Sequence, residues 1–369
     1  MLSLQPDSRT AAAVTFSDYG IATATRLFDS AGIDVAGGTA TLRRMLSPWG
    51  ARRIAERPEW HSDVCADGSP IEFSAAFAGD EVRIRALVES LPEVPTTPAA
   101  QRAATGLTQG LIQEFGADGG RLAAVWDLFL PHEAPTGFAM MHAAIFGPTG
   151  RPGFKVYLNP EADRAMSSVD RTRAALERVG LADAWDAVVA YAARGFDLDR
   201  IVYFGLDLAE GPEARVKVYF RHYDAVPGEL DARMDEVAAR HRTGLLADFC
   251  RELTGKEGEL REQPLVSNLT FTASGGTTPV SATAYVPLWL YADSDRTIER
   301  RVSSAMTGLG LPADRYRTLL DHVARRPLAD GRGIHTYASL RVGNGRPRVA
   351  TYWSTELYDR YPSARYQRG

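Results

Sequence analysis

The sequence predicts an α+β protein: a single closed ten-stranded antiparallel β-barrel, built from five hairpin-plus-helix repeats and ringed by helices. Three observations predict it. Similar tyrosine-containing strings recur at a near-constant period, a second strand-like run precedes each of them across a turn, and helical stretches follow the hairpins. We expect residues 1–369 to form one domain, with the barrel core at about residues 60–360.

The tyrosine strings establish the repeat. Four of them share one shape: GFKVYLNP, ARVKVYFRHY, SATAYVPLWL and PRVATYWSTE. Aligned on Tyr157, Tyr219, Tyr285 and Tyr352, they are separated by 62, 66 and 67 residues. A near-constant period indicates stacked copies of one supersecondary unit.

Each tyrosine string forms the second strand of a predicted hairpin. The preceding runs are FAMMHAAIF, IVYFGLDL, SNLTFTA and IHTYASLRV, and the junctions contain the Gly, Pro and Asn residues typical of tight turns. A fifth hairpin fits upstream, where SPIEFSAAF meets VRIRALVES across AGDE. Five hairpins give ten strands, and hairpin neighbours are antiparallel.

Helices are predicted between the hairpins. Apolar residues recur at three- and four-residue spacing within 98–116, 169–195, 228–253, 295–310 and 312–326, and Asp or Glu lies near several of the starts. Closure into a barrel would leave no exposed sheet edge, and ten strands leave room for a ligand inside. The alternative is an open sheet with a solvated polar face.

Alternation along the strands assigns the two faces. The apolar side chains of the second strands must pack under the helices, so the opposite, polar face must point into the lumen. That inward set is Lys155, Tyr157, Arg215, Lys217, Tyr219, Thr283, Tyr285, Arg348 and Tyr352. In the first hairpin the same rule turns Glu72, Ser74, Arg83 and Arg85 inward.

Composition excludes several classes of protein. The apolar content of 45% and the net charge of -4 are ordinary for a globular chain, so we expect no nucleic-acid or membrane partner and a cytoplasmic location. The first 16 residues lack the pattern of a secretory signal. Cys65 and Cys250 are too few for a disulfide framework and lack metal-ligand spacing.

The lysines carry the functional signal. The chain has 42 Lys and Arg residues, of which only Lys155, Lys217 and Lys256 are lysines, and the first two occupy equivalent places in KVYL and KVYF. With Arg83 and Arg215 they would form a cationic cluster suited to a phosphate or diphosphate. The four tyrosines would add π-faces that stabilise a cation. Together these features predict a prenyl diphosphate, which ionises to diphosphate and an allylic carbocation.

The chain lacks the carboxylate motif that a magnesium-dependent route would need. It contains no DDxxD; the nearest candidates, Asp197/Asp199 and Asp293/Asp295, are lone Asp-x-Asp pairs. We therefore expect no metal site, no cofactor and no requirement for Mg²⁺, with basic side chains neutralising the diphosphate instead.

These strings resemble those of the aromatic prenyltransferases with the ABBA barrel, specifically the dimethylallyltryptophan synthase family and its bacterial indole-prenylating branch. The resemblance covers roughly residues 60–360 and rests on SPIEFS with VRIR, KVY, GLD with RVKVY, AYVP and RVATY. It implies that Glu72 accepts the indole N–H and that diphosphate is bound by Arg83, Lys155, Arg215 and Lys217, with a shield of Tyr157, Tyr219, Tyr285 and Tyr352. It also implies catalysis without metal.

Two positions depart from the fungal members that the chain resembles. Thr283 stands where they have Gln, and Arg348 stands where they have Tyr; we include Arg348 among the diphosphate-binding residues. His142 lies thirteen residues before Lys155 and could face the lumen as a second base. The alternatives are a core histidine at His142, and a simple ion pair with Arg83 for Glu72.

The leading hypothesis is an enzyme that transfers a prenyl group, preferentially dimethylallyl, to the indole of tryptophan or a tryptophan-derived metabolite. Its partners would be these small-molecule substrates, and the protein would be a monomer or weak homodimer. Two alternatives stay open: a phenolic or naphthalene acceptor on the same barrel, and a ligand-carrier barrel without chemistry. The sequence does not decide the exact acceptor, the attacked atom, normal or reverse attachment, or a C5 against a C10 donor.

Overall fold

The computed structural model describes residues 14–131, 137–238, 244–343 and 347–358. Its centre is a closed barrel of ten strands, each antiparallel to both neighbours, in the order β1-β10-β9-β8-β7-β6-β5-β4-β3-β2. The strands are β1 Ile71–Ala78, β2 Glu81–Glu89, β3 Met140–Phe146, β4 Gly153–Leu158, β5 Asp199–Asp207, β6 Val216–His222, β7 Leu265–Phe271, β8 Ser281–Pro287, β9 His335–Gly343 and β10 Arg348–Ser354. The predicted closed barrel is confirmed, and the open sheet is wrong.

Helices surround the barrel. Within the described ranges they are α1 Phe16–Ala31, α2 Val35–Leu46, α3 Thr97–Phe115, α4 Gly120–Phe129, α5 Ser168–Arg178, α6 Trp185–Tyr191, α7 Pro227–Ala238, α8 Leu245–Thr254, α9 Asp295–Gly308 and α10 Ala313–Val323. The hydrophobic core lies between them and the outer face of the sheet, where Phe73, Phe204, Phe220 and Trp353 are fully buried.

The first two helices lie outside the repeat, and the periodicity does not predict them. The Thr15 side chain caps α1 in a reciprocal capping box with Asp18, and Gly32 ends the helix in the left-handed region that glycine tolerates. Helix α1 packs against α2, α10 and β2. The pair therefore covers the outer side of the first hairpin, which has no helix of a preceding repeat to cover it.

Two strands depart from strict alternation. In β5, Ile201 lies opposite Phe220 and Tyr203 lies opposite Tyr219, so Val202 is an extra residue. In β9, His335 lies opposite Trp353 and Tyr337 lies opposite Tyr352, so Thr336 is the extra residue. Such β-bulges let two successive side chains point to the same face. Both bulges lie in the first strand of a hairpin, and both precede an inward-facing tyrosine.

Some predictions fall on residues that are not described. Most of the N-terminal stretch lies within residues 1–13. Part of the turn predicted between IHTYASLRV and PRVATYW lies within 344–346, and the helical stretch 228–253 includes 239–243. Among the described helices, none has the length and apolar character needed to span a bilayer.

Candidate active site

The inward face of the barrel bounds a cavity of about 870 Å³, part of which opens to solvent. Cationic side chains on or directly before five strands line it: Arg83, Arg85, Lys155, Arg215, Lys217, Arg341 and Arg348. The lining also includes Tyr157, Tyr219, Tyr285 and Tyr352, together with Thr283. All the cations and tyrosines expected at the site on sequence grounds therefore border one cavity.

Arg83 and Arg348 lie near the open end. The Arg83 side chain is half exposed and its Nε donates to Glu81 Oε1 at 2.5 Å, while Arg348 is exposed. Arg83 lies opposite Ala76 on β1, whereas Glu72 lies opposite Leu87. The alternative reading of Glu72 as an ion-pair partner of Arg83 is therefore wrong.

Lys155 and Arg215 share one carboxylate. The Lys155 ammonium lies 3.7 Å from Asp207 Oδ1, and Arg215 Nε donates to Oδ2 at 2.6 Å. Burial lowers the pKa of Lys155 to about 7, with Arg215 acting in the same direction and Asp207 against it. Burial alone would raise the pKa of Asp207, but Lys155 and Arg215 outweigh it and hold that pKa below its ordinary value.

Lys217 is buried among the other cations. It is 7% exposed, and burial together with Lys155, Arg215 and Arg341 depresses its pKa well below the ordinary lysine value. Burial also lowers the pKa of Arg341 to about 10. Like charges held together out of water are costly without an anion. The cluster is thus arranged to receive negative charge.

Arg85 and Arg341 were not among the predicted site residues. Arg85 follows Arg83 on the inward face of β2, and its Nη1 donates to the Tyr352 hydroxyl at 3.2 Å. Arg341 lies on β9, where its Nε donates to Ser281 Oγ at 3.1 Å. Alternation already places Arg85 inward. For Arg341 the signal is the same alternation, counted along IHTYASLRV, the first strand of the last hairpin in the chain.

The tyrosines form a continuous aromatic wall. Ring centroids lie 5.7 Å apart for Tyr157–Tyr219, 6.1 Å for Tyr219–Tyr285 and 5.6 Å for Tyr285–Tyr352. Tyr203, which sequence reasoning missed, joins them at 5.9 Å from Tyr219. Gly205 makes room, since a Cβ there would lie 3.1 Å from the Tyr219 ring.

Burial favours the protonated form of three of these tyrosine hydroxyls. It raises the pKa of Tyr157 to about 12 and the pKa values of Tyr219 and Tyr285 well above their ordinary value. These three residues therefore offer neutral π-faces and O–H groups. Beside the aromatic wall, the Tyr285 hydroxyl accepts from Asn268 Nδ2 at 3.0 Å. Asn268, on β7, lies opposite Thr283 on β8.

Glu72 lies at the other end of the lumen from Arg83. Its side chain is 7% exposed, and its Oε2 accepts a hydrogen bond from the Thr336 hydroxyl at 3.0 Å. Burial raises the pKa of Glu72 to about 8, and the bond from Thr336 opposes the rise. A carboxyl group in this setting can exchange protons near neutral pH.

A loop before β1 packs beside Glu72. Val64 and Cys65 from the segment before β1 pack with Phe138 and Met141, and Tyr157 borders the cluster. The loop is tied to β2 through Glu89, whose carboxylate accepts from the Trp60 Nε1 and, at 2.6 Å, from the Ser62 hydroxyl.

The prediction that His142 faces the lumen is wrong. His142 lies opposite Val88 and Val156, both on the outer face of the barrel, and it is fully buried. Its Nε2 lies 2.8 Å from the Thr108 hydroxyl on α3, and burial lowers the pKa of the imidazole to about 3. The inward neighbours on β3 are Met141 and Ala143, so a base at 142 cannot reach the cavity.

No group of three or more His, Cys, Asp or Glu side chains within the described ranges is arranged to hold a metal ion. Cys65 and Cys250 are free and buried.

The fold and the site together define the class of protein. A closed barrel that holds a cation cluster, a tyrosine wall and a buried carboxyl group is that of an ABBA-barrel aromatic prenyltransferase. The model of the tryptophan dimethylallyltransferase family matches residues 43–318. The chain belongs to this family and is an enzyme of it, which sets the ligand-carrier alternative aside.

Solved structures of bacterial enzymes are similar over almost the whole chain. The 6-dimethylallyltryptophan synthase from Micromonospora olivasterospora, in complex with DMASPP and Trp, is 34% identical, with 95% of this chain and 99% of that chain covered and a TM-score of 0.88. The 5-dimethylallyltryptophan synthase from Streptomyces coelicolor is 28% identical over 95% and 97%, with a TM-score of 0.83. The prenyltransferase PriB, in a ternary complex with L-tryptophan and dimethylallyl thiolodiphosphate, is 26% identical over 95% and 98%, with a TM-score of 0.84.

Proposed function

We propose that this enzyme transfers a dimethylallyl group from dimethylallyl diphosphate to the indole ring of tryptophan or a tryptophan-derived metabolite. The observation that carries the proposal is that cations and tyrosines line one cavity, while the buried Glu72 lies further along the inward face of β1 from the strand position opposite Arg83. Relatives crystallised with tryptophan and a thiolodiphosphate analogue support the same pair of substrates.

The length of the lumen suits both substrates in line. Glu72 and Ala76 are four residues apart on β1, and Ala76 lies opposite Arg83. At a rise of about 3.3 Å per residue, β1 spans ~13 Å between the level of Arg83 and the level of Glu72. That span accommodates a diphosphate, a five-carbon allyl group and an indole in sequence.

The cation cluster would bind and activate the donor. Arg83, Lys155, Arg215 and Lys217 hold the diphosphate, and Arg85, Arg341 and Arg348 join them from the same cavity. The allylic C–O bond then breaks, and its electron pair leaves with the diphosphate. Negative charge grows on the leaving group in the transition state, so preorganised cations accelerate this step.

The tyrosines would protect the resulting cation. The wall of Tyr157, Tyr219, Tyr285 and Tyr352 presents aromatic rings, and each can stabilise a nearby cation by roughly 0.5–2 kcal/mol. Because the rings also exclude water, the cation reacts with the indole rather than being hydrolysed.

Glu72 would orient the acceptor. Its carboxylate accepts the indole N–H, which positions the ring against the allylic carbon and raises its electron density. The π electrons of the ring form the new bond to the allylic carbon. If N1 is attacked, Glu72 takes the proton. If a ring carbon is attacked, the ring proton leaves in a later step, and its acceptor must come from groups other than His142, which lies outside the lumen.

The reaction would need no metal, because side chains supply the positive charge. The test incubates the enzyme with dimethylallyl diphosphate and L-tryptophan in excess EDTA, with a phenolic acceptor in a parallel reaction, and identifies products by mass spectrometry and NMR. We expect prenyltryptophan at an unchanged rate. Loss of activity in EDTA with recovery in Mg²⁺ would overturn metal independence, and product from the phenol alone would overturn the acceptor.

Glu72→Gln tests the role of the carboxylate. We expect turnover to fall ~10²–10⁴-fold, the usual range for general-base and orienting effects. The dissociation constant of dimethylallyl thiolodiphosphate should not change, because the diphosphate is bound by other strands. Wild-type turnover in this variant would remove Glu72 from the mechanism.

A further inference from the structure

We propose that Thr336 is a positioning residue for Glu72: the β-bulge in β9 turns its hydroxyl into the lumen, where it fixes one carboxylate oxygen and leaves the other for the acceptor. The proposal rests on the role of Glu72 in the proposed function. It goes beyond that role because it explains how one carboxyl group keeps a defined direction in the lumen.

The bulge decides where the Thr336 side chain points. Tyr337 faces inward, so strict alternation along β9 would point Thr336 outward and His335 inward. The extra residue reverses both. His335 instead lies outside, with its Nδ1 2.9 Å from Asp295 and its Nε2 2.7 Å from the Tyr316 hydroxyl.

The backbone around the bulge is anchored on both sides. The Leu288 N–H donates to the Thr336 carbonyl at 3.1 Å, and the Ser354 N–H donates to the Ile334 carbonyl at 2.8 Å. The Thr336 side chain is 4% exposed, so its hydroxyl has little water to bond. A β-branched side chain on a fixed backbone has few rotamers, which gives the donated bond a fixed direction.

The second bulge provides an internal comparison. Val202 occupies the equivalent place in β5, one residue before the inward-facing Tyr203. It has no hydroxyl, and it packs with Tyr219 and Val266. The same backbone device therefore serves packing in one strand, whereas in β9 it brings a donor to the carboxyl group.

The remaining titratable groups around Glu72 do not duplicate this bond. The elements packed around it carry Cys65 and Asp67 on the loop, Arg85 and Glu89 on β2, Tyr157 on β4, His335 and Tyr337 on β9, and Tyr352 on β10. Burial raises the pKa of Cys65 well above its ordinary value and that of Tyr157 to about 12, with the Glu72 charge adding to both. Both therefore stay neutral where Glu72 titrates, while Asp67 accepts from Ser69 and Glu89 from Ser62.

Thr336→Val removes the hydroxyl and keeps the volume, while Thr336→Ser retains the hydroxyl. In Thr336→Val the carboxylate loses its donor, so the acid limb of the kcat/KM profile should move up by about one pH unit, and turnover at pH 7 should fall about tenfold. The share of minor positional isomers of the product should rise, because the ring is held less firmly. Thr336→Ser should restore the wild-type profile.

A direct titration separates positioning from a merely structural role. With ¹³C-carboxyl-labelled glutamate, the Glu72 resonance is identified by its loss in Glu72→Gln and followed with pH in the unliganded enzyme. We expect its midpoint to be about one unit higher in Thr336→Val than in the wild type. If Thr336→Val does not fold, Thr336→Ala gives the same readout. The control is Thr351→Val, a buried threonine on the outer face of β10, which should shift nothing.

The outcomes separate the two proposals. An unchanged Glu72 midpoint and pH limb in the Thr336 variants would overturn the positioning role, whatever Glu72 does. Wild-type turnover in Glu72→Gln would overturn the proposed function of Glu72, even if its resonance shifts in Thr336→Val. If Thr336 acts through Glu72, then Thr336→Val should cause no further loss of turnover in the Glu72→Gln background.

Discussion

The Lys155 ammonium lies 3.7 Å from the Asp207 carboxylate, deep in a cavity otherwise lined mainly by cations and tyrosines. Asp207 also accepts from Arg215, so one carboxylate organises two of the cations assigned to the diphosphate. It offsets part of the repulsion among the cations while the site is empty. It also favours the protonated form of Lys155, which burial opposes.

Replacing Asp207 with Asn should therefore weaken donor binding in a pH-dependent way. The pKa of Lys155, about 7 in the wild type, should fall further, so the lysine is already mostly neutral below pH 7. If the pKa falls by about one unit, we expect the ratio of dissociation constants, variant to wild type, to rise from about 1 at pH 5 to ~10 at pH 8. Calorimetry with dimethylallyl thiolodiphosphate measures it. Asp197→Asn, at an exposed position before β5, is the matched control; a pH-independent ratio would contradict the coupling to Lys155.

The three lysines allow a matched test of the cation cluster. Lys217→Ala should weaken donor binding and also slow the chemical step, because negative charge grows on the leaving group in the transition state. A loss of ~10²-fold or more in single-turnover rate is expected from removing one such group. Lys256→Ala, which removes an exposed lysine beside Glu262, should leave both quantities unchanged. A Lys217 variant that binds weakly yet reacts at the wild-type rate would restrict this lysine to binding.

Strand alternation predicts most of the site because the second strands of the hairpins are regular. It places Lys155, Tyr157, Lys217 and Tyr219 on one face, and the structure has all four in one cavity. The unusual use of lysine strengthens the same inference, since two of three lysines fall at equivalent places in the repeat.

Alternation fails where the register changes. The bulges at Val202 and Thr336 each add one residue, and nothing in the strings IVYFGLDL or IHTYASLRV marks the insertion. Thr336 and Tyr337 are therefore both lumenal, which a period of two cannot predict.

The prediction for His142 fails for a different reason. This residue lies on an apolar strand whose side chains do not alternate in polarity, so only its cross-strand partners Val88 and Val156 reveal its face.

His142→Leu should change stability and leave catalysis intact. The side chain is buried on the outer face, and the change leaves the Thr108 hydroxyl without its imidazole partner. Losing one buried hydrogen bond costs ~1–3 kcal/mol in unfolding free energy, which denaturant titration measures. We expect kcat to stay within about twofold of the wild type. The opposite pattern, wild-type stability with a large loss of kcat, would restore the histidine as a base.

Glu72 should make the protein less stable as the pH rises, and removal of its charge should reverse this. Burial raises the folded-state pKa of Glu72 to about 8 from 4.5, so the unfolded state releases its proton first. The stability associated with the neutral group is fully present below pH 4.5 and is lost as the pH rises through 8. Glu72→Gln stays neutral, so at pH 9 it should be more stable than the wild type by on the order of 5 kcal/mol, with no such gain at pH 4.5. The measurement is the difference in unfolding free energy between the two proteins from pH 5 to 9.

The control is Glu210→Gln, at an exposed position after β5, for which the difference in unfolding free energy should show no trend with pH. A difference that does not grow with pH would mean that the empty site already accommodates the charged carboxylate.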